Sequence, residues 1–298
     1  MNITKTAVFT IVGRPNTGKS TLANRIAGEK IAIVSNKPQT TRGRIYAVCS
    51  RGDAQLVFLD TPGFHKPKNA LDEYMVKVVR NSVGSGSDAV VMMVEPIANI
   101  GRQETELISM IRSSGLPAVL VINKIDTVGR ESLLAVMDVY SKAYDFDQLI
   151  PISAATGEGF DELMDELSKY AREGPALFPE DMVTDQPDRQ ILAEIVREKL
   201  LYCLEHEIPH GTAVEVTKFS EREDSGIIDL DVTIYCEKPG HKRIIIGKNG
   251  AMLKKIGELA RRDAERYMGT KVFLQSWVKV KENWRDSGAM LRNFGYNE

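Results

Sequence analysis

Three short motifs carry residues whose types and spacing can do chemistry on a nucleotide. The first is Gly13-Arg14-Pro15-Asn16-Thr17-Gly18-Lys19-Ser20, followed by Thr21. Glycines at 13 and 18 let the backbone curl so that successive N–H groups point inward at phosphate oxygens. A helix opening near Lys19 adds its positive N-terminal end. The Lys19 ammonium can reach the β- and γ-phosphates, and the Ser20 hydroxyl can ligate Mg²⁺. The second motif, Asp60-Thr61-Pro62-Gly63, offers a carboxylate to hold the magnesium through water and a Gly63 N–H for the γ-phosphate. The third is Asn123-Lys124-Ile125-Asp126. A carboxylate at Asp126 can accept from guanine N1–H and the 2-amino group, whereas adenine would leave that acceptor unpaired, at a cost of roughly 1–3 kcal/mol per lost bond. Asn123 is expected to brace the loop and the Lys124 stem to cover the ring. Ser153-Ala154-Ala155 fits a backbone N–H contact to the guanine oxygen. The pocket these residues imply takes GTP, not ATP.

Between the first helix and the second strand, Thr40-Thr41 offers a hydroxyl that would ligate Mg²⁺ when the γ-phosphate is present, making the segment an order–disorder switch. Thr41 is the favoured ligand, with Thr40 as the alternative. Position 64 narrows the chemistry further. Ras-like proteins carry there the glutamine that orients the attacking water, and this chain has Phe64. A phenyl ring forms no strong hydrogen bond, so unassisted turnover is expected to be slow. Asn16 offers one compensation. The loop resembles that of GTPases which lack the glutamine and use this Asn to bind K⁺. Lys19, Thr41, Gly63 and Asn16 are therefore the expected catalytic residues.

These motifs need strands that end at them and helices that follow. Thr6–Val12 is a short apolar run before the first loop, and Ser20–Ala27 is helical in pattern, giving strand, loop and helix in the required order. Ala54–Leu59 precedes Asp60, Pro117–Ile122 precedes Asn123, and Leu149–Ile152 precedes Ser153. Strand and helix patterns alternate to about Tyr170. They predict an α/β, doubly wound P-loop domain with helices on both faces of a sheet. A stretch rich in prolines and acids, 172–187, reads as a linker. The expected division is 1–171, 172–187 and 188–298.

The last part is patterned differently. A helix over Arg189–Glu205 is followed by strand-like runs at Ala213–Phe219 and Ile227–Tyr235, the second alternating Ile228, Leu230, Val232 and Ile234 inward. Then come Ile244-Ile245-Ile246, Gly247-Lys248-Asn249-Gly250, an amphipathic basic helix and a strand over Lys271–Val280. The overall net charge of −2 hides a segregation: residues 238–281 hold twelve Lys/Arg against three acids. Such a concentration is an electrostatic footprint for phosphates.

Composition bounds the rest. At 298 residues, 43% hydrophobic and 27% charged, the chain suits two ordinary globular domains. Cys49, Cys203 and Cys236 form no metal or disulfide pattern, which points to a reduced cytoplasmic compartment. The first strand begins almost at once, leaving no room for a signal peptide. The apolar runs are far short of a membrane span.

The order α-β-β-α-α-β with Gly-x-x-Gly resembles a type II KH domain, an α+β fold. On that resemblance Gly247, Lys248, Asn249 and Gly250 clamp an RNA backbone and Ile244, Ile245 and Ile246 help form the groove floor, some of them core. Lys254 and Lys255 add phosphate contacts. With Pro38-Gln39-Thr40-Thr41-Arg42 and the linker 179–187, the whole chain resembles the Era family of GTPases, departing from it at Gly43, where the family often has a histidine. The resemblance implies a monomer that cycles between GTP and GDP, binds the 3′ end of small-subunit (16S) ribosomal RNA and assists 30S assembly. It further implies peripheral association with the inner membrane in some members. The alternative reading is a membrane-associated signalling GTPase whose basic C-terminal part meets a protein or lipid.

Overall fold

The computed structural model describes residues 3–84 and 86–296; the outer limits expected at 1 and 298 lie outside the described residues. The chain groups into two compact units. The first takes residues up to 32, then 41–68 and 72–185; the second takes 33–40, 69–71 and the chain from 186 on.

In the first unit the order is β1 (Lys5–Gly13), α1 (Lys19–Ala27), β2 (Ile45–Arg51), β3 (Ala54–Asp60), α2 (Ala70–Ser82), β4 (Ala89–Val94), α3 (Arg102–Ser114), β5 (Ala118–Ile122), α4 (Arg130–Ala143), β6 (Gln148–Pro151), α5 (Phe160–Ser168) and β7 (Arg172–Glu173). The sheet runs β2-β3-β1-β4-β5-β6, and β7 pairs with β1. Only β2 and β7 run antiparallel to their neighbours. Strands covered on both faces read as unbroken apolar runs, and β4 (AVVMMV) and β5 (AVLVI) are buried at every position. Alternate side chains then feed two cores. Phe9, Ile11, Val91, Met93 and Val121 pack with Leu22, Ile26, Leu163 and Leu167 from α1 and α5. Val12, Val90, Met92, Leu120 and Ile122 pack with Val79, Leu107, Ile111 and Val136 from α2, α3 and α4. This is the doubly wound arrangement, and it brings the carboxyl ends of the strands to one edge, where open α/β sheets bind ligands.

Residues 172–185, read from composition as a linker, pack onto this sheet. Gln55 sits fully buried in β3. Its carbonyl oxygen accepts from the Leu177 and Phe178 N–H groups at 2.8 and 3.0 Å, and its amide donates to the Phe178 carbonyl at 2.9 Å. The Val48 N–H donates to the Val183 carbonyl at 2.8 Å. Composition marks a segment without regular structure, but it does not register which buried amide the segment satisfies.

The second unit contains α6 (Asp188–Cys203), β8 (Thr212–Glu221), β9 (Ile228–Cys236), α7 (Pro239–Ile246), α8 (Ala251–Met268), β10 (Val272–Val280) and the short α9 (Gly288–Asn293). The sheet order is β10-β9-β8, with β9 parallel to β10 and antiparallel to β8. Ile228, Leu230, Val232 and Ile234 all point into a core shared with Ile191, Leu192 and Ile195 of α6 and Ile256 and Ala260 of α8. Trp284 is also fully buried, donating from Nε1 to the Gly211 carbonyl at 3.0 Å. Residues 33–40 group with this unit through α6. The Val34 N–H donates to Glu198 at 3.0 Å, and the Arg197 guanidinium donates to the Thr40 carbonyl.

Candidate functional site

The loop between β1 and α1 is shaped by contacts that exclude larger residues. A Cβ on Gly13 would lie 2.4 Å from the Met93 carbonyl oxygen, and one on Gly18, at φ +96°, would lie 2.1 Å from Asn123 Nδ2. Asn16, at φ 68°, stands exposed at the loop's tip. The Lys19 ammonium folds back over the loop and donates to the Gly13 and Arg14 carbonyls at 3.2 and 2.8 Å. Burial pushes its pKa down to about 8 against the pull of Asp60.

At the end of β3, Asp60 is fully buried. Burial pushes its carboxyl up to about 6, opposed by the Lys19 charge and by hydrogen bonds from Ser20 and the Thr61 backbone. Ser20 Oγ donates to Asp60 Oδ2 at 2.7 Å and stands 2.6 Å from Thr41 Oγ1. With Ser20's proton committed to Asp60, Thr41 is the donor of that second bond. The other oxygen of Asp60, Oδ1, is buried and has no hydrogen-bond partner among the described residues. Two hydroxyls and a carboxylate with an open lone pair are a fitting donor set for Mg²⁺, which keeps waters and takes one or two carboxylates besides phosphate oxygens. Thr40 points elsewhere, its hydroxyl donating to the Lys37 carbonyl at 2.7 Å.

Asn123 ties the base-side loops to the phosphate loop. Its amide donates to the Thr17 carbonyl and its oxygen accepts from the Ala154 N–H, both at 2.8 Å. Lys124, at φ 65°, pairs with Glu95 at 2.5 Å, and Asp126 is exposed in the turn that follows. Arg25 on α1 fixes the far side of the 153–155 loop by donating to the Ala154 and Ala155 carbonyls at 2.7 and 2.8 Å. Nothing in the sequence around Arg25 signals that brace; it appears only once the fold brings α1 against the loop that follows β6.

Several expected site residues present backbone rather than side chain. The Arg14 guanidinium is paired with Glu104 of α3 at 2.9 Å. The Thr17 hydroxyl donates to the Arg14 carbonyl at 3.1 Å, and the buried Thr61 hydroxyl donates to the Ile11 carbonyl at 2.7 Å. The Ser153 side chain is buried and accepts from the Thr156 N–H at 3.2 Å. Thr21 is partly buried on α1, Pro62 is buried and Ala155 is exposed. Gly63 closes on the phosphate loop: a Cβ there would lie 2.7 Å from Pro15 Cα. Phe64 is 3% exposed and packs with Val12, Val76 and Val79, while its N–H donates to the Gly13 carbonyl at 3.0 Å. A cleft of about 920 Å³ opens beside it between α2 and α3, lined by Arg14, His65, Arg80 and Glu104.

In the second unit, Gly247–Gly250 joins α7 to α8. Gly247 has φ +73°, and a Cβ there would lie 2.7 Å from Met252 Cβ. Lys248 and Asn249 project into solvent, as do Lys254 and Lys255 on the first turns of α8. Gly250 caps α8 without a side chain, so the helix's first N–H groups are left for other acceptors. Of the three isoleucines, Ile245 is core, Ile246 is partly buried and Ile244 is 49% exposed. All three close α7, and helical spacing turns them to different faces. A groove floor can draw on Ile244 and Ile246 only.

A family model described as a 50S ribosome-binding GTPase matches residues 8–124, and a KH-domain model matches residues 207–285. GTPase Era of Ruminiclostridium cellulolyticum is 50% identical over 292 residues, spanning 98% of this chain and 97% of its own length. GTPase Era of Clostridioides difficile is 48% identical over 295 residues, 99% of each chain. A crystal structure of Era in complex with MgGDPNP and nucleotides 1506–1542 of 16S ribosomal RNA matches with TM-score 0.94 and 37% identity, covering 99% of this chain and 100% of that one. A variant of Aquifex aeolicus Era bound to GDP and AlF4⁻ matches with the same figures. Fold and matches together define a P-loop GTPase carrying a C-terminal KH domain. The chain belongs to the Era family, and it is a GTPase.

Proposed function

We propose that this chain is a GTP-gated RNA-binding factor that binds the 3′ end of 16S ribosomal RNA and assists assembly of the 30S subunit. The observation that carries it is the Gly247-Lys248-Asn249-Gly250 loop, with Lys248 and Asn249 exposed at the head of a basic helix. The relative bound to 16S nucleotides supports the choice of RNA. The 50S description of the matched GTPase model is attached to residues 8–124, which exclude the loop, so it does not weigh on that choice. In this reading residues 1–171 and 188–298 are the two working parts, and Gly247–Gly250, Lys254, Lys255, Ile244 and Ile246 meet the RNA.

The phosphates lie over Gly13–Thr21 and against Gly63, and the base lies among Asn123, Lys124, Asp126 and residues 153–155. Ser20, Thr41 and Asp60 would hold Mg²⁺, which neutralises charge on the β- and γ-oxygens. Lys19 stabilises the transferring phosphoryl group, and Asn16 would place K⁺ beside it. Protein groups other than residue 64 must position water, so hydrolysis is slow and times RNA release. The chain acts as a monomer in the cytoplasm. Among the described residues no helix is long and apolar enough to cross a membrane, and no observation favours the membrane-signalling alternative.

The test is binding of the full-length protein to a 3′-terminal 16S segment with MgGDPNP and then with GDP. Much tighter binding in the first state supports the reading; equal, weak binding in both removes it. Hydrolysis at equal rates in Na⁺ and K⁺ would dispose of the Asn16 role.

A further inference from the structure

The His65 ring stands between two acceptors. Its Nδ1 lies 2.7 Å from the Gly63 carbonyl oxygen, and its Nε2 lies 3.5 Å from Asp72 Oδ1. A carbonyl and an ionised carboxylate can only accept, so both nitrogens are satisfied together only when both carry protons. Asp72 is 1% exposed, and its other oxygen accepts the Lys68 N–H at 2.9 Å, which aims the carboxylate at the ring. Burial pushes the His65 pKa down; the hydrogen bonds the ring donates to Asp72 and to the Gly63 carbonyl, with the Asp72 charge, outweigh burial and the opposing Lys68, for a net rise. Lys66, Glu73, Lys77 and Arg80 line the cleft that the ring faces.

The contact falls on a sensitive peptide. Gly63 is wedged on Pro15, and the next N–H is bonded to the Gly13 carbonyl. With Phe64 buried and unable to orient water, the backbone here must hold its geometry without help from side chain 64. We infer that the imidazolium of His65, anchored by Asp72, is a positioning residue for GTP hydrolysis: it fixes the Gly63–Phe64 peptide and, through it, the glycine that faces the terminal phosphate. This rests on the proposed role of Gly63. His65 itself acts through Gly63 and needs no contact with the nucleotide.

The experiment uses full-length protein with ¹⁵N-labelled histidine, bound to MgGDPNP. The chain has four histidines, and His65→Gln assigns the resonance. Both ring nitrogens of His65 are expected to be protonated at neutral pH. In single-turnover hydrolysis the rate should fall as pH rises through the His65 pKa, because the imidazolium is then lost. The fall should move to lower pH in Asp72→Asn and vanish in His65→Gln, whose rate should be about tenfold lower with GDP affinity unchanged, the scale of one charged hydrogen bond removed. A neutral His65 at pH 7, a wild-type rate in His65→Gln, or a parallel loss of GDP affinity would each overturn the inference. Gly63→Ala with undiminished MgGDPNP affinity would instead remove the assumed role of Gly63, leaving the protonation result standing by itself.

Discussion

The Ser20 hydroxyl donates to one Asp60 oxygen across 2.7 Å, while the second oxygen is buried with no partner among the described residues. That carboxylate is fully buried, and burial pushes it up to about 6 against the Lys19 charge and the bonds from Ser20 and the Thr61 backbone. An unfolded Asp titrates at about 3.9, so the protonated form is favoured by folding. That contribution is fully present below about pH 4 and is lost as pH rises through about 6. Magnesium needs the ionised form. The Mg²⁺-dependent part of GDPNP affinity should fall about tenfold per pH unit below pH 6, one proton competing with one metal. Titration calorimetry with and without EDTA measures it, and Asp60→Asn should abolish the dependence.

Asn123 and Asp126 separate bracing from base recognition. Asn123→Ala leaves the Thr17 carbonyl and the Ala154 N–H without their 2.8 Å partners, at roughly 1–3 kcal/mol each. GDP affinity should drop by more than tenfold for every guanine nucleotide alike. Asp126→Asn turns an acceptor into a donor, which suits the 2-carbonyl of xanthine. It should weaken GTP and strengthen XTP, and competition binding with the two nucleotides reads the exchange.

The G-domain motifs were legible because each sits on one continuous stretch whose residue types are dictated by the ligand. Gly13, Gly18 and Gly63 are required by close backbone approach, and the strands before them are apolar on both faces. The alternation in β9 was legible for the same reason, since period-two burial is local. Contacts that join distant segments were not. Arg25 bracing the 154–155 carbonyls, Gln55 satisfying Leu177 and Phe178, and His65 facing Asp72 leave no local periodicity to read. Ile244–Ile246 show the intermediate case: the apolar triplet is evident, but which member faces out depends on α7 being helical up to Gly247.

Phe64 lies in the core between β1 and α2, not at the nucleotide edge. Supplying the glutamine of Ras-like enzymes there should therefore fail to accelerate hydrolysis. Phe64→Gln removes a buried ring and buries an amide, which should destabilise the first unit by about 3 kcal/mol. Urea unfolding and single-turnover hydrolysis measure the two effects. A faster enzyme would mean that the side chain swings out when nucleotide binds.

The RNA-facing loop needs a probe that spares the fold. Gly247→Asp places a Cβ 2.7 Å from Met252 Cβ at φ +73°, so it should lose RNA binding and also destabilise the second unit by ~1–3 kcal/mol. The double substitution Lys248→Asp, Asn249→Asp avoids that clash: both side chains are exposed, and Asp tolerates the φ of 51° that Asn249 adopts. It should keep wild-type thermal stability and GTP affinity while weakening binding to the 16S segment at least about tenfold. On a single strand, every phosphate the protein ceases to neutralise makes the slope of log affinity against log salt shallower by about 0.7. A shallower slope in the double variant would put phosphates at this loop; an unchanged slope would put them elsewhere on α8, with Lys254 and Lys255 the next to be tested.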